Sequence, residues 1–208
     1  MRYLRADDPP RRNVFVAHNF LDGASCGLLR SESSKAREAL AYISGLGGTD
    51  LLDESRRRTH RILIPQHIQD IVQDKLSAIT ANLEGYFSRK LASVQLAQFL
   101  RYRRGDFFRA HQDSSAHHEH LPEVRLRSVS AVLFLNRQAR LPEPGAYCGG
   151  SLTLFCVDDD PDPRLHIGGE EGLLVAFPSE VMHEVRPVTH GERYTVVTWY
   201  EREAGEAG

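Results

Sequence analysis

The chain has 208 residues, of which 41% are hydrophobic and 26% are charged, and its formal net charge is −2 at pH 7. This length fits one domain with a single core, and the composition is that of a globular protein. A net charge so close to zero leaves no electrostatic footprint for nucleic acid, so we expect no nucleic-acid partner. No apolar segment approaches the length that crosses a bilayer, and the polar start predicts no signal peptide, so we expect no membrane partner.

The cysteine content bears on the cellular compartment. Cys26, Cys148 and Cys156 lack the spacing of a zinc site or of a disulfide framework. An odd and sparse set of this kind suits a reducing compartment, and we therefore expect a cytoplasmic protein. The sequence predicts no particular oligomeric state.

The first 93 residues are predicted to form a strand followed by supporting helices. The strand covers residues 13–20, and Asp22 is a plausible N-cap for a short helix that ends at Leu29. A second helix is predicted over 34–43, and the clearest helix over 65–87, where apolar residues keep a helical spacing. We expect this last apolar face to pack against a sheet and to brace it. The apolar positions are Ile68, Ile71, Val72, Leu76, Ile79, Leu83 and Phe87.

The rest of the chain is predicted to consist of short strands. Apolar and β-branched runs bounded by turn residues are typical of buried strands. Ahead of them, Arg56, Arg57 and Arg58 form a basic cluster. A solvated strand edge is the favoured interpretation of this cluster, and a place at a substrate mouth is the alternative. The predicted strands cover residues 60–64, 95–102, 107–111, 127–136, 151–157, 172–177 and 194–200.

The motif His111-Gln112-Asp113 is the candidate centre of the chemistry. Successive side chains of a strand point to opposite faces, so His111 and Asp113 project together while Gln112 points away. His183 follows a predicted strand and turn and would supply a second imidazole. Two imidazoles and one carboxylate leave roughly half of a six-coordinate shell open, which is the facial triad of non-haem Fe(II) oxygenases. A surface pair on a polar strand is the alternative interpretation of the motif taken alone.

Arg193 opens the strongest predicted strand, ten residues after His183. A buried strand seldom begins with an arginine unless the arginine has a partner. A dicarboxylate ligand would provide one, because guanidinium binds carboxylate through a two-pronged, charge-assisted fork. A salt bridge at the strand end is the alternative, and the spacing from His183 favours the ligand.

Two polar segments raise the question of further metal sites. Residues 114–120 contain His117, His118 and His120, and we favour a polar loop with exposed or substrate-facing histidines over a second metal site. Since the segment 114–124 is long and lies beside the motif, a mobile lid is a further hypothesis. The acidic segment 158–163 lacks the periodic ligands of an EF-hand, so an acidic turn is predicted there.

These motifs together resemble those of the Fe(II)- and 2-oxoglutarate-dependent dioxygenase superfamily, and within it the prolyl 4-hydroxylase-like group. The resemblance covers about the C-terminal half of the chain, from Val94 to Glu201, and the N-terminal half matches only in general character. The phrases that carry the resemblance are RYRRGDFFRAHQD at 101–113, RSVSAVLFLN at 127–136, GGSLTLF at 149–155 and HEVRPV at 183–188.

The resemblance implies a role for each residue of the central motif. His111, Asp113 and His183 match the iron ligands, and Arg193 matches the basic residue that pairs with the distal carboxylate of 2-oxoglutarate. The implied cofactors are Fe(II), 2-oxoglutarate as cosubstrate and O2. No catalytic side chain is implied beyond the ligands of the metal and the cosubstrate. The carboxylate at Asp113 argues against a halogenase, where a small residue makes room for halide.

The resemblance also suggests residues around the cosubstrate and the substrate. Tyr102 matches a tyrosine that lines the pocket, Arg127 an arginine at the substrate mouth, and Trp199 a pocket aromatic. Phe134 departs from the pattern, because some prolyl hydroxylases have there a tyrosine that hydrogen-bonds 2-oxoglutarate. Arg193 would then need help from Tyr102, Thr195 or water.

Helices followed by many short strands predict an α+β fold, and the resemblance implies a double-stranded β-helix, or jelly roll, with N-terminal supporting helices. We expect a single domain over 1–208, with a strand and supporting helices in 1–93 and the dioxygenase core in 94–201. The ligands would lie inside the barrel mouth.

Three functions are compatible with this site. The first is hydroxylation of an unactivated C–H bond of a prolyl residue in a peptide or protein, with release of succinate and CO2. The second is hydroxylation of a free amino acid or another small metabolite on the same scaffold. The third, ranked lowest, is a non-catalytic metal-binding jelly-roll sensor. A peptide substrate requires an open groove, whereas a small-molecule substrate requires charged anchors, and a sensor has no need of Arg193.

Overall fold

The computed structural model describes residues 2–3, 13–41, 43–44, 50–115, 121–155 and 164–203. Its helices are α1 (Gly23–Lys35), α2 (Gln66–Ala78), α3 (Thr80–Phe87) and α4 (Pro122–Leu126). Its strands are β1 (Arg2–Tyr3), β2 (Phe15–Ala17), β3 (Arg37–Leu40), β4 (Ile43–Ser44), β5 (Asp50–Leu51), β6 (Arg57–Arg58), β7 (His60–Leu63), β8 (Ser93–Val94), β9 (Gln98–Tyr102), β10 (Phe107–His111), β11 (Arg127–Phe134), β12 (Cys148–Gly149), β13 (Leu152–Phe155), β14 (Arg164–Ile167), β15 (Leu174–Pro178), β16 (His183–Val185), β17 (Val188–His190) and β18 (Arg193–Glu201).

Two large sheets contain most of the strands. The larger has eight strands in the order β2-β15-β11-β18-β9-β7-β3, with β8 also paired to β18. The smaller has six, in the order β1-β14-β13-β16-β10-β6. Strand β11 lies between β15 and β18 and pairs antiparallel with both, and its residues 128–134 are all buried because both of its faces are covered.

Side chains of β11 alternate between two hydrophobic cores, as the pleat of a strand requires. Val129, Ala131 and Leu133 belong to a core that also contains residues of α1, α2 and α3. Val132 and Phe134 belong to a second core, which contains residues of β13 and β14 from the smaller sheet. The two sheets therefore pack face to face, and the helices cover the outer face of the larger one.

The supporting role predicted for the N-terminal helices is confirmed. Leu29 of α1 and three residues of α2, Ile68, Val72 and Leu76, pack in the same core as the outer face of β11. The three α2 residues recur every four positions, so they form one stripe along the helix. The architecture is α+β, as the order of predicted elements indicated.

The prediction of a helix over 34–43 is wrong. Helix α1 extends to Lys35, and residues 37–40 form strand β3, which pairs antiparallel with β7 at the edge of the larger sheet. Exposure alternates along β3, with Glu38 and Leu40 half-buried. Glu38 forms ion pairs with Arg101 and Arg103. Pairing and side-chain contacts with the neighbouring strands outweigh local helix propensity at this edge.

The single helix predicted over 65–87 is two helices, α2 and α3. They meet at Ile79, whose backbone leaves the helical region with φ −92° and ψ 3°. Ile71 is 53% exposed, so it does not belong to the buried stripe. Both helices still contribute to the same core, α2 through Ile68, Val72 and Leu76 and α3 through Leu83.

Some predicted segments fall outside the described residues, and some observed elements were not predicted. Residues 116–120, with the three loop histidines, and the acidic segment 158–163 lie outside them. Strand β14 was not predicted, and the segment proposed as a lid contains the start of helix α4. Among the described residues, no helix is both long and apolar enough to cross a membrane.

Candidate active site

The structure brings His111, Asp113 and His183 together. Antiparallel pairing of β10 with β16 places His111 opposite His183, and the Asp113 backbone N–H then donates to the carbonyl oxygen of Ser179 over 3.0 Å. The Asp113 carboxylate lies 3.5 Å from Nε2 of His111 and 3.4 Å from Nε2 of His183. Gln112 points away, as predicted, and its side chain donates to the Glu180 carbonyl over 2.6 Å.

Both imidazoles direct Nε2 toward the Asp113 carboxylate. Nδ1 of His111 lies 2.8 Å from the carbonyl oxygen of Arg109, and Nδ1 of His183 lies 2.9 Å from that of Val181. A carbonyl only accepts, so each Nδ1 carries a proton, and in a neutral ring Nε2 is then the atom with the free lone pair. Burial lowers the pKa of His183 to about 4, so this ring is neutral at neutral pH.

Asp113 supplies a charged oxygen donor. Burial raises the pKa of its carboxyl group, but interactions with His183, His111 and Arg127 outweigh burial and hold the pKa below its usual range. The three ligand atoms lie within 4.8 Å of one another. Two imidazole nitrogens and one carboxylate oxygen are a donor set that fits Fe(II) and leaves positions open for other ligands. Across the described part of the chain, no second cluster of this kind occurs.

Two serines hold the aspartate in place. The Ser130 hydroxyl donates to Asp113 Oδ2 over 2.8 Å, and the Ser179 hydroxyl lies 2.9 Å from that of Ser130. Since the Ser130 proton is used on the carboxylate, Ser179 donates to Ser130. Both hydroxyls are buried on neighbouring strands, β11 and the end of β15, so the chain fixes one orientation of the carboxylate.

Replacing Ser130 with alanine is expected to weaken Fe(II) binding by about 10- to 100-fold, because the carboxylate loses the hydrogen bond that orients it. The dissociation constant is measured by competition with a chelator. Ser128→Ala is the matched control on the same strand, since the contacts of Ser128 with Ser179 and Arg89 use its carbonyl oxygen. Equal affinity of the two variants would show that the hydroxyl has no part in orienting Asp113.

Arg193 lines the same cavity as the two histidines and the aspartate. The cavity has a volume of about 1350 Å³, and its lining includes Arg193 and Tyr102. Arg193 is 1% exposed and stands opposite Tyr102 in the pairing of β18 with β9. Its Nη1 donates to the Thr195 hydroxyl over 3.2 Å, and its Nε has no hydrogen-bond partner among the described residues. A buried cation so placed is poised for a carboxylate ligand.

Aromatic rings surround this guanidinium. Cζ of Arg193 lies 5.0 Å from the ring centres of both Tyr102 and Phe134. Tyr147, which the sequence analysis missed, is buried beside them: burial raises the pKa of its hydroxyl, and the neighbouring Arg193 lowers it by less. A side chain at Gly169 would place its Cβ 2.3 Å from the Tyr147 hydroxyl oxygen. Because Gly169 has no side chain, there is space for the Tyr147 hydroxyl near Arg193. The Phe134 ring, which also lies near Arg193, carries no hydroxyl.

The predicted substrate residues, Arg127 and Trp199, also line the cavity. The Arg127 guanidinium stacks on the Trp199 ring, with Cζ 3.8 Å from the ring centre. It donates to the side chain of Gln95 over 3.1 Å and to the backbone carbonyl of Asp113 over 3.3 Å. Arg127 is therefore held beside the metal-ligand cluster by neutral acceptors and an aromatic face.

The favoured interpretation of the basic cluster, a solvated strand edge, is wrong for Arg57. Arg57 is half-buried and lines the cavity, with its Cζ 4.6 Å from the ring centre of Phe108. The Phe108 ring in turn stacks on His111 at 3.5 Å. The neighbouring Arg58 pairs instead with Asp106, away from the cavity. Three consecutive arginines carry no signal that distinguishes the middle one. Only the pairing of β6 with β10, which sets Arg57 opposite Phe108, reveals it.

Fold and site together define a class of protein, a non-haem metal-dependent oxygenase with room for a chelating cosubstrate. The model of the 2OG-Fe(II) oxygenase superfamily matches residues 97–201. A PKHD-type hydroxylase of Burkholderia cenocepacia is 33% identical over 183 residues, which cover 84% of this chain and 74% of the relative. A PKHD-type hydroxylase of Shewanella sp. strain ANA-3 is 34% identical over 190 residues, covering 86% and 77%.

The chain belongs to the 2OG-Fe(II) oxygenase superfamily. It is a 2-oxoglutarate-dependent dioxygenase of the prolyl hydroxylase-like kind, and its cofactors are those of the family: Fe(II), 2-oxoglutarate and O2.

Solved structures agree with this assignment at the level of the fold. A crystal structure of a Pseudomonas putida prolyl-4-hydroxylase superimposes with a TM-score of 0.71 at 23% identity, covering 92% of this chain and 94% of that one. A prolyl hydroxylase from Trichoplax adhaerens, in complex with a hypoxia inducible factor peptide fragment, gives 0.63 at 17% identity, covering 91% and 84%. The predicted jelly roll is confirmed.

Proposed function

We propose that this enzyme hydroxylates an unactivated C–H bond of a prolyl residue in a peptide or protein. One oxygen atom of O2 enters the product and the other enters succinate, while 2-oxoglutarate loses CO2. The observation that carries the proposal is the joint placement of His111, Asp113, His183 and Arg193 around one cavity. The known prolyl hydroxylases of the same fold support the prolyl residue, and the peptide bound to the Trichoplax enzyme supports a peptide substrate.

In this proposal His111, Asp113 and His183 hold the iron through two Nε2 atoms and one carboxylate oxygen. Iron and 2-oxoglutarate, when bound, supply the activation of dioxygen that a C–H bond requires. Arg193 binds the distal carboxylate of the cosubstrate, and Tyr102 lines the same pocket. Thr195, which is buried and does not line the cavity, orients the guanidinium through its hydroxyl.

The substrate would bind near Arg127 and Trp199, whose stacked side chains line the same cavity as the metal ligands. We propose that residues 1–208 form one domain, with the helices of the first 93 residues bracing the core of 94–201.

A non-catalytic sensor would give no reason for a deeply buried Arg193, so this alternative is not retained.

Hydroxylation of a free amino acid or another small metabolite remains the second candidate. The feature that favours it is the pair of arginines, Arg57 and Arg127, in the same cavity. Charged anchors of this kind suit a substrate with its own charged group, whereas a neutral peptide segment would be held by backbone hydrogen bonds.

The substrate class is tested with ¹⁸O2, Fe(II) and 2-oxoglutarate, supplied with proline-containing peptides or with free L-proline. We expect one labelled oxygen atom in the peptide, formed together with succinate and dependent on 2-oxoglutarate. A His183→Ala protein is the inactive control. Label in free proline and in no peptide would contradict the peptide proposal and select the small-molecule alternative.

A further inference from the structure

Two arginines of the cavity are not needed for the iron or for the distal carboxylate of 2-oxoglutarate. Arg57, on the edge strand β6 of the smaller sheet, and Arg127, at the start of β11 in the larger sheet, both line the cavity that contains His111, Asp113 and His183. They belong to different sheets, and each lies near the metal-ligand cluster through contacts with different residues.

Arg57 reaches the cluster through an aromatic stack. Its guanidinium lies over Phe108, and the Phe108 ring stacks on the ligand His111. Burial lowers the pKa of Arg57, and the side chain of Tyr102, which lines the same cavity, raises it by less. A cation held against an aromatic ring keeps a preferred position, and a guanidinium is a suitable donor for a carboxylate.

Arg127 reaches the cluster from the other sheet. The Trp199 ring covers one face of its guanidinium, and its hydrogen bonds to the Gln95 side chain and the Asp113 carbonyl use neutral acceptors. Glu123 and Glu201 lie near enough to raise the pKa of Arg127, although burial lowers it by more. No carboxylate stands within ion-pair distance of Arg127 among the described residues.

The two guanidinium groups repel each other. Both line the cavity that contains the metal-ligand cluster, so their like charges share one partly buried space. Asp113 attracts both, but in the metal-loaded enzyme its charge is directed to the metal. An anion bound to both arginines would relieve this repulsion and would lie in the same cavity as the metal ligands.

We propose that Arg57 and Arg127 together bind a carboxylate of the substrate, close to the carbon that is oxidised. This inference rests on the proposed function, and it narrows the substrate to an anionic prolyl compound. Two sources supply such a group, a C-terminal carboxylate on the prolyl residue itself or an acidic side chain next to it in the peptide. Arg193 is not part of this site, because it lies deeper and serves the cosubstrate.

The test uses the one tryptophan of the chain as its reporter. Trp199 stacks on Arg127, so an anion that engages Arg127 changes its fluorescence. The Fe(II)- and 2-oxoglutarate-loaded enzyme is titrated without oxygen with acetyl-Ala-Pro bearing a free carboxylate, and with the same peptide as its C-terminal amide. A second pair, acetyl-Ala-Pro-Asp-amide and its asparagine counterpart, tests the side-chain source.

We expect the carboxylate form of at least one pair to bind about 10- to 100-fold more tightly than its neutral partner, since charge-assisted hydrogen bonds are lost with the charge. Arg57→Gln and Arg127→Gln are expected to abolish this preference. Arg104→Gln, which removes an exposed arginine outside the cavity, is the charge-matched control and is expected to retain it.

Three results would overturn the inference. The first is that, in each peptide pair, the carboxylate and neutral forms bind equally or neither binds. The second is a preference for the carboxylate form that survives Arg57→Gln. The third is an Arg57→Gln protein that loses affinity for 2-oxoglutarate instead, which would place Arg57 on the cosubstrate. Failure of the proposed function is recognised separately, because the loaded enzyme would then show no oxygen transfer to any peptide, whatever its charge.

Discussion

The Asp113→Ala protein is expected to lose more than about 100-fold in Fe(II) affinity and, with it, 2-oxoglutarate turnover. This loss exceeds the one expected for Ser130→Ala, which removes only a hydrogen bond to the carboxylate, because Asp113 is the only charged donor among the three metal ligands. In the free protein, the Asp113 carboxylate also lies near the cationic Arg127, so its removal takes a negative charge out of the cavity. Metal content after dialysis against Fe(II) without oxygen, and succinate formation, measure the two effects.

Gln112→Ala is the matched control for this prediction. Gln112 precedes Asp113 in the chain, but it is exposed and its amide donates to the Glu180 carbonyl rather than to the cluster. We expect it to bind iron and to turn over 2-oxoglutarate as the unmodified protein does. Retention of stoichiometric iron by Asp113→Ala would refute the assignment of the carboxylate as a ligand.

The Arg193→Met protein is expected to lose binding of 2-oxoglutarate by more than about 100-fold and yet to be more stable than the unmodified protein without the cosubstrate. The loss follows because removing one partner of a buried, hydrogen-bonded charge pair costs about 2–5 kcal/mol. The gain follows because Arg193 is a fully buried cation with an unsatisfied Nε and no carboxylate partner among the described residues. Methionine fills similar space without that charge.

Thermal unfolding with and without 2-oxoglutarate measures both effects. For a protein of this size, each kcal/mol shifts Tm by about 2–4 °C. We expect Arg193→Met to raise the Tm of the cosubstrate-free protein by a few degrees and to abolish the further rise that 2-oxoglutarate causes. Arg101→Met is the contrasting control: Arg101 is also buried but pairs with Glu38, so its loss should lower Tm. A less stable Arg193→Met protein that still responds to 2-oxoglutarate would contradict the account.

The central residues could be predicted because their signals are local. Alternation along a strand placed His111 and Asp113 on one side, and an arginine at the start of a buried strand pointed to a ligand at Arg193. What the sequence could not supply is the pairing of strands from distant segments. The register of β10 with β16 sets His111 opposite His183, although 72 positions separate them in the chain.

The same limitation explains the residues that were missed. Arg57 is distinguished from its neighbours only because β6 pairs with β10, and Tyr147 only because Gly169, from another segment, leaves space for its hydroxyl. Local propensity also misplaced a helix where β3 forms, since strand pairing with β7 and the Glu38 ion pairs are non-local. Position within an element was readable from the sequence, whereas contacts between elements were not.

The most direct test is an anaerobic titration of the metal-free protein with Fe(II) and then with 2-oxoglutarate, followed by visible absorption. Chelation of the cosubstrate by iron held at His111, Asp113 and His183 is expected to give a charge-transfer band that saturates at one equivalent of each. The band should be weakened in Asp113→Ala and in Arg193→Ala. Iron that binds stoichiometrically without any band upon addition of 2-oxoglutarate would contradict the assignment of the cavity as the cosubstrate site.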